Sequence, residues 1–154
     1  MILINGELND KLSVRDRAIQ YGDGLFETFA VKNGEALAWD LHITRLQSSS
    51  IRLGIECPDP ALLKREVSSI SQHARRAVLK LIISRGEGGR GYQLPTSALP
   101  TRIISLHEWP NYPVNYMNEG IVATVCKMRM ACNPVLAGMK HLNRLEQVLL
   151  KKEL

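Results

Sequence analysis

The stretch Tyr21-Gly22-Asp23-Gly24-Leu25-Phe26-Glu27-Thr28-Phe29-Ala30-Val31-Lys32-Asn33-Gly34 decides how the chain reads. Two glycines bracket an Asp, and glycine at such places lets the backbone turn tightly. Leu25 to Val31 is then rich in aromatic and β-branched residues, the composition of a strand. Lys32-Asn33-Gly34 makes the next turn, and Glu35 to Asp40 is expected to return as a second strand carrying Trp39. The unit is strand, turn, strand.

Upstream, Met1 to Ile4 followed by Asn5-Gly6 predicts a short strand running into a hairpin turn. Leu12 to Gln20 is mixed, with Asp16 flanked by Arg15 and Arg17. Downstream, apolar Ile43, Leu46 and Leu53 give a helical stripe over 42–53, closed by Gly54 at the C-cap. Asp59-Pro60 is an N-cap and N1 pair, and Leu63, Val67, Ile70 and Ala74 follow at helical spacing. Ala77 to Ser84 reads as a buried strand, Arg85 to Tyr92 as a glycine-rich loop, and Arg102 to Leu106 as another strand. Pro110 and Pro113 mark a stiff linker. Gly120 to Met128 is expected to be a strand, and Asn133-Pro134 opens a loop leading to Lys140. A final helix carries Leu142, Leu145 and Leu149 on one face, with Asn143 and Glu146 spaced as a capping-box variant.

These elements predict an α+β fold with antiparallel strands and two helices over residues 1–109, a linker over 110–119, and over 120–154 the start of a second domain. Some 35 residues cannot bury a core of their own, so that domain is expected to be incomplete.

The 154 residues carry 20 basic and 15 acidic side chains, a net charge of +5, with 45% hydrophobic and 23% charged residues. A mild basic excess suits anionic ligands. Nucleic acid is disfavoured, because there is no Lys/Arg block and aromatic residues are only 5%. Cys57, Cys126 and Cys132 are odd in number and lack CxxC spacing, so a reducing cytoplasm is expected. No uninterrupted apolar run approaches a membrane span, and no signal peptide is legible.

Lys140 sits between a Pro/Gly-bearing apolar loop and the apparent first turn of the last helix. A lysine does covalent chemistry where its surroundings favour the neutral amine; a solvated lysine beside a helix is the plainer reading. In Arg85-Gly86-Glu87-Gly88-Gly89-Arg90-Gly91-Tyr92 four glycines let the backbone approach a ligand, and Arg90 offers a fork for a carboxylate, unless this is simply a hairpin tip with solvated arginines. GxxxxGK[ST] does not occur. Arg45, at the edge of a buried helix face, is placed to reach a phosphate or to snorkel. Tyr21 and Phe26 flank the glycine turn and either wall a flat ligand or pack into the core. His73, His107 and His141 show no metal-ligand spacing.

Taken in order, Asp16 to Thr28, His42 to Leu46, Ser84 to Tyr92 and Lys140 to Glu146 resemble the fold-type IV pyridoxal-phosphate enzymes, which include branched-chain and D-amino-acid aminotransferases and aminodeoxychorismate lyases. The likeness is strongest to the lyase branch, through Gly88-Gly89-Arg90-Gly91-Tyr92 and the run from Asn133 to Leu150. The resemblance implies pyridoxal 5'-phosphate as cofactor, Lys140 as its Schiff-base lysine and the general base, and Arg45 as a phosphate contact. It also implies that Arg90 and Tyr92 hold substrate carboxylate, with Tyr21 and Phe26 near the substrate pocket. A small-molecule substrate, a homodimer and a second domain holding most of the cofactor follow in the same way. The implied reaction is elimination of pyruvate from 4-amino-4-deoxychorismate to give 4-aminobenzoate, a step toward folate; amino transfer on the same scaffold is the alternative. A non-catalytic basic binding module is the alternative of another kind. Family members run on for about another domain's length and there supply the acidic partner of the pyridine nitrogen, so this chain alone is expected to hold the cofactor weakly.

Overall fold

The computed structural model describes residues 1–154. Six strands, β1 (Ile2–Ile4), β2 (Glu7–Leu8), β3 (Gly24–Lys32), β4 (Glu35–Ala36), β5 (Arg76–Ser84) and β6 (Thr101–Glu108), form one sheet in the order β2-β1-β6-β5-β3-β4. Every pairing is antiparallel. The helices are α1 (Arg17–Tyr21), α2 (Trp39–Leu53), α3 (Pro60–Ser71), α4 (Tyr116–Glu119) and α5 (Leu145–Lys152). The α+β class holds, and two short helical segments, α1 and α4, join the three expected helices.

Local chemistry explains the turns and caps. Asn5-Gly6 and Asn33-Gly34 have positive φ at both residues, 54° and 90°, then 50° and 85°, the conformation that a two-residue hairpin turn requires. The Asp59 carboxylate accepts from Ala61 N ahead of Pro60, and Gly54 ends α2 in the left-handed region. One expectation fails here: the strand after Gly34 ends at Ala36, and Trp39 begins α2 instead. Ala38 turns the chain at φ 55°, and the Trp39 ring stacks on Phe29 with centroids 5.5 Å apart. An edge strand would have left that ring less covered.

Alternation along the central strands divides the sheet into two faces. Leu25, Phe29 and Val31 of β3 and Ala77, Leu79, Leu81 and Ile83 of β5 are buried, together with Ile43 and Leu46 of α2 and Leu63, Val67 and Ile70 of α3. Each large apolar side chain so covered contributes about 1.5–3 kcal/mol. On the other face Phe26, Lys80 and Ile82 are half-buried.

After β6 the only regular elements are α4 and α5. The strand expected over 120–128 does not form: Ile121, Val122 and Val125 are exposed and no strand runs beside them to share backbone hydrogen bonds. Backbone N–H groups of Lys127 and Met128 go instead to the Glu153 carboxylate, and that of Ala131 to Glu146. The capping box also fails, since Glu146 is engaged by Ala131 and Asn143 donates to Gly22 O at 3.2 Å. No helix is long and apolar enough to cross a membrane.

The Lys140 segment differs most from expectation. It lies five residues before α5, in extended backbone laid on the open edge of β3. Phe26 N donates to Lys140 O and Leu142 N to Gly24 O, both at 2.9 Å, bracketing an antiparallel bridge between Leu25 and His141. Gly24 permits the approach, because a Cβ there would stand 2.6 Å from Ile83 O and 2.7 Å from Leu142 Cδ1. Gly24→Ala is therefore expected to lower stability by about 1–3 kcal/mol in urea unfolding. It should also speed proteolytic cleavage around residues 133–143 relative to the sheet; unchanged cleavage there would mean the edge pairing tolerates a methyl group.

Candidate active site

The loop entering Lys140 is tied down at several points. Asn133 Oδ1 accepts from Val135 N and Leu136 N, closing a local turn. Arg52 at the end of α2 donates to Ala137 O at 2.9 Å and to Val135 O at 2.7 Å. Met139 is buried in the core, so the next residue must point to the opposite face of the sheet edge.

There the Lys140 Nζ sits 4.2 Å from the centre of the Phe26 ring. Lys80 Nζ and the Arg144 guanidinium approach the same ring at 5.2 and 5.4 Å. Arg144 is held by donating to His141 O and Met139 O. Burial pushes the Lys140 ammonium below its ordinary range; Glu27 opposes that, while Arg144, Arg45 and Lys80 reinforce it. The neutral amine, which is the nucleophile, is thereby favoured. A cleft of about 480 Å³ opens beside it, lined by Phe26, Lys140, Arg144, Gln147, Val148 and Lys151. Besides Lys140, Arg144 and Lys151 bring positive charge to it, which suits an anionic group on whatever enters.

Arg45 lies on the helix-covered side of the same strand. Its Nε donates to Glu27 Oε1 at 2.7 Å and its Nη2 to Oε2, while His42 Nδ1 meets Oε2 at 2.7 Å. Glu27 is 1% exposed, so its charge requires these partners. The bonds to Glu27 raise the Arg45 pKa against a smaller effect of burial. Its Nη1 has no hydrogen-bond partner in the chain, and the side chain is 45% exposed. No hydrogen bond joins Arg45 to Lys140, but each lies within the other's field.

The glycine-rich loop is held from below. Tyr21 Oη accepts from Gly91 N at 2.9 Å, and the Tyr21 and Tyr92 rings lie 5.6 Å apart. Arg17 donates to Gly91 O and Gln93 O and covers the Tyr21 ring at 4.6 Å. Asp23 joins Arg17 to Arg85 through bonds of 2.8 and 2.7 Å, and Arg85 continues to Leu53 O and Gly54 O. Arg90 is exposed and Tyr92 is 87% exposed. Of the residues singled out in the sequence, Phe26 thus meets Lys140 and Tyr21 meets Tyr92, whereas the Arg90 guanidinium makes no hydrogen bond to either pair.

Sequence reasoning passed over Glu27, Lys80 and Arg144 as functional groups. Glu27 carried a usable signal: it shares strand parity with Leu25, Phe29 and Val31, and a carboxylate among apolar inward positions must have cationic partners. Lys80 and Arg144 carried none, since their meeting at Phe26 depends on the edge docking. No cluster of three or more His, Cys, Asp or Glu residues is placed to hold a metal ion.

Burial and neighbouring cations thus lower the basicity of an amine held at a sheet edge beside a cation-lined cleft. The model of the family "Amino-transferase class IV" matches residues 24–154, and the chain belongs to that family. Aminodeoxychorismate lyase of Vibrio harveyi is 36% identical over 154 residues, all of this chain and 57% of that protein. The crystal structure of 4-amino-4-deoxychorismate lyase from Pseudomonas aeruginosa superposes with a TM-score of 0.93 at 44% identity, again over 100% of this chain and 57% of the other. A hypothetical aminotransferase from Mycobacterium tuberculosis in its PLP-bound form matches 67% of this chain and 36% of its own, at 30% identity and a TM-score of 0.58. The chain spans a little over half the length of the curated relatives it matches.

Burial pushes the Asp23 carboxyl up, but hydrogen bonds and charge from Arg85 and Arg17 together hold it below the usual range. Its contribution to stability is therefore complete above the unfolded pKa of about 4 and fades as pH falls through the lower folded value. Asp23→Asn is expected to flatten that acid limb in urea midpoints measured between about pH 2 and 5. An unaltered slope would show that other carboxylates carry it.

Proposed function

We propose that this chain carries the reactive lysine of a pyridoxal-phosphate-dependent lyase that converts 4-amino-4-deoxychorismate to 4-aminobenzoate and pyruvate. The observation that carries the cofactor part is the Lys140 amine, depressed in basicity and set against Phe26 among Lys80, Arg144 and Lys151. Residues of this kind fit a phosphate-bearing aromatic aldehyde: a neutral amine for the carbonyl, an aromatic face, and cations for the phosphate. When bound, the cofactor supplies an electron sink.

Lys140 then has two tasks. Its neutral amine would hold the cofactor's aldehyde, and with substrate bound the same nitrogen would be free to accept the proton from the ring carbon bearing the substrate amine. With that proton removed, the neighbouring C–O bond would break, the enolpyruvate would take up a proton at its methylene carbon and leave as pyruvate, and the ring would become aromatic. Arg45 would contact the cofactor's phosphate and Arg90 the substrate carboxylate, with Tyr92, Tyr21 and Phe26 about the substrate. Tyr21 would serve there chiefly by carrying the loop, through its bond to Gly91. Arg90 and Tyr92 stand exposed on their loop, and neither lines the cleft at Lys140 of their own chain; this favours a homodimer in which the loop reaches the partner's site. The reaction would be a cytoplasmic step toward folate, in keeping with three free cysteines.

The lyase reaction rests on the likeness to two lyases across the whole chain. An aminotransferase is the second reading, favoured by the description of the family and by the PLP-bound neighbour. Borohydride reduction in excess pyridoxal phosphate, followed by peptide mapping, is expected to place the label mainly on Lys140 even where equilibrium affinity is low, because trapping accumulates product. Label on Lys80 or Lys127 instead would overturn the assignment. Release of 4-aminobenzoate, measured beside amino transfer to a keto acid, separates the two reactions; the lyase reading requires the first and its loss in Lys140→Ala.

A further inference from the structure

Glu27 is the one acidic group that acts on both Arg45 and Lys140. It projects from β3 into the helix-covered side, 1% exposed, at a position where its neighbours of like parity are Leu25 and Phe29. Its two oxygens take two nitrogens of the Arg45 fork, and Oε2 also meets His42 Nδ1, whose ring packs 4.4 Å from Phe29. Arg45 is thus oriented by a rigid strand and not by its own helix alone. A forked pair of this kind fixes the guanidinium plane, which leaves Nη1 as the nitrogen free to meet an outside anion.

We propose that Glu27 is a positioning residue for anion capture: its buried carboxylate holds two nitrogens of the Arg45 fork, leaving Nη1 to take the phosphate of an aldehyde that bonds Lys140. The proposal rests on the assignment of Lys140 as the aldehyde-binding amine. It predicts selectivity for a phosphorylated aldehyde over its unphosphorylated counterpart, with Glu27 acting only through Arg45.

The test compares borohydride-trapped label on Lys140 from pyridoxal phosphate with that from pyridoxal, in the 154-residue chain and its variants. Taking the ratio of the two, and comparing ratios between variant and parent, cancels differences in free aldehyde content. Glu27→Gln, which keeps the shape and removes the charge, is expected to lower the ratio about tenfold, the scale of a lost charge-assisted hydrogen bond. Combined with Arg45→Ala it should lower the ratio no further than Arg45→Ala alone. A ratio that is unchanged or raised in Glu27→Gln, or an additive double variant, would overturn the proposal. Arg45→Lys keeps the charge but not the fork, and tests orientation even if Glu27→Gln does not fold; retention of the full ratio there would also overturn it. If Lys140 of the parent chain takes no label from either aldehyde, the underlying assignment fails and this proposal with it. Label on Lys140 with no phosphate preference defeats this proposal alone.

Discussion

Two backbone hydrogen bonds govern the site, Phe26 N to Lys140 O and Leu142 N to Gly24 O. They turn residues 140–142 into a short seventh ribbon on the only long stretch of β3 that β4 leaves uncovered. Side chains on a strand alternate between faces, so pairing in this register decides everything that follows. Met139 goes to the core, and Lys140 goes to the face that carries Phe26 and Lys80. A shift of one residue would bury the lysine among the core leucines and expose the methionine. Gly22 and Gly24 allow the register, since side chains there would meet Asn143 and Leu142.

The charge arrangement follows from the same geometry. Strand β3 presents Phe26 on one face and Glu27 on the other, and cations gather about both. On the open face Lys80, Arg144 and Lys140 surround an aromatic ring with no carboxylate among them, which disfavours a further proton on the amine. On the helix-covered face Glu27 holds His42 and Arg45. That carboxylate restrains the loss of basicity at Lys140, which would otherwise be set by burial and three cations alone. Its bonds to Arg45 are the shorter-range effect; its field at Lys140 acts without contact.

Much of this was legible in the residues and some was not. The hairpin turns at Asn5-Gly6 and Asn33-Gly34, the Asp59-Pro60 helix start and the Gly54 stop are local, and each was set by the conformational limits of a few residues. Trp39 was misplaced because propensity favours it in strands, while its burial against Phe29 favours the first turn of α2. The strand expected over 120–128 had the right composition, but a strand is a property of two segments and none lies alongside. The capping pair Asn143 and Glu146 was drawn away by Gly22 and Ala131, more than a dozen residues distant, which no local pattern reveals.

Within the site the contrast is sharper. Lys140 stood out by its loop, yet its setting is a sheet edge and not a helix start. That difference has chemical consequences. A lysine in a first helical turn would be free to swing through solvent, keeping an ordinary ammonium, with only the partial positive charge of the helix terminus to oppose it. A lysine whose own carbonyl is bonded to Phe26 N has its Cα fixed against that residue's backbone, and its amine is carried to the Phe26 ring by the register alone. The covalent chemistry inferred for this chain thus depends less on the presence of a lysine near its end than on the strand edge that orients it.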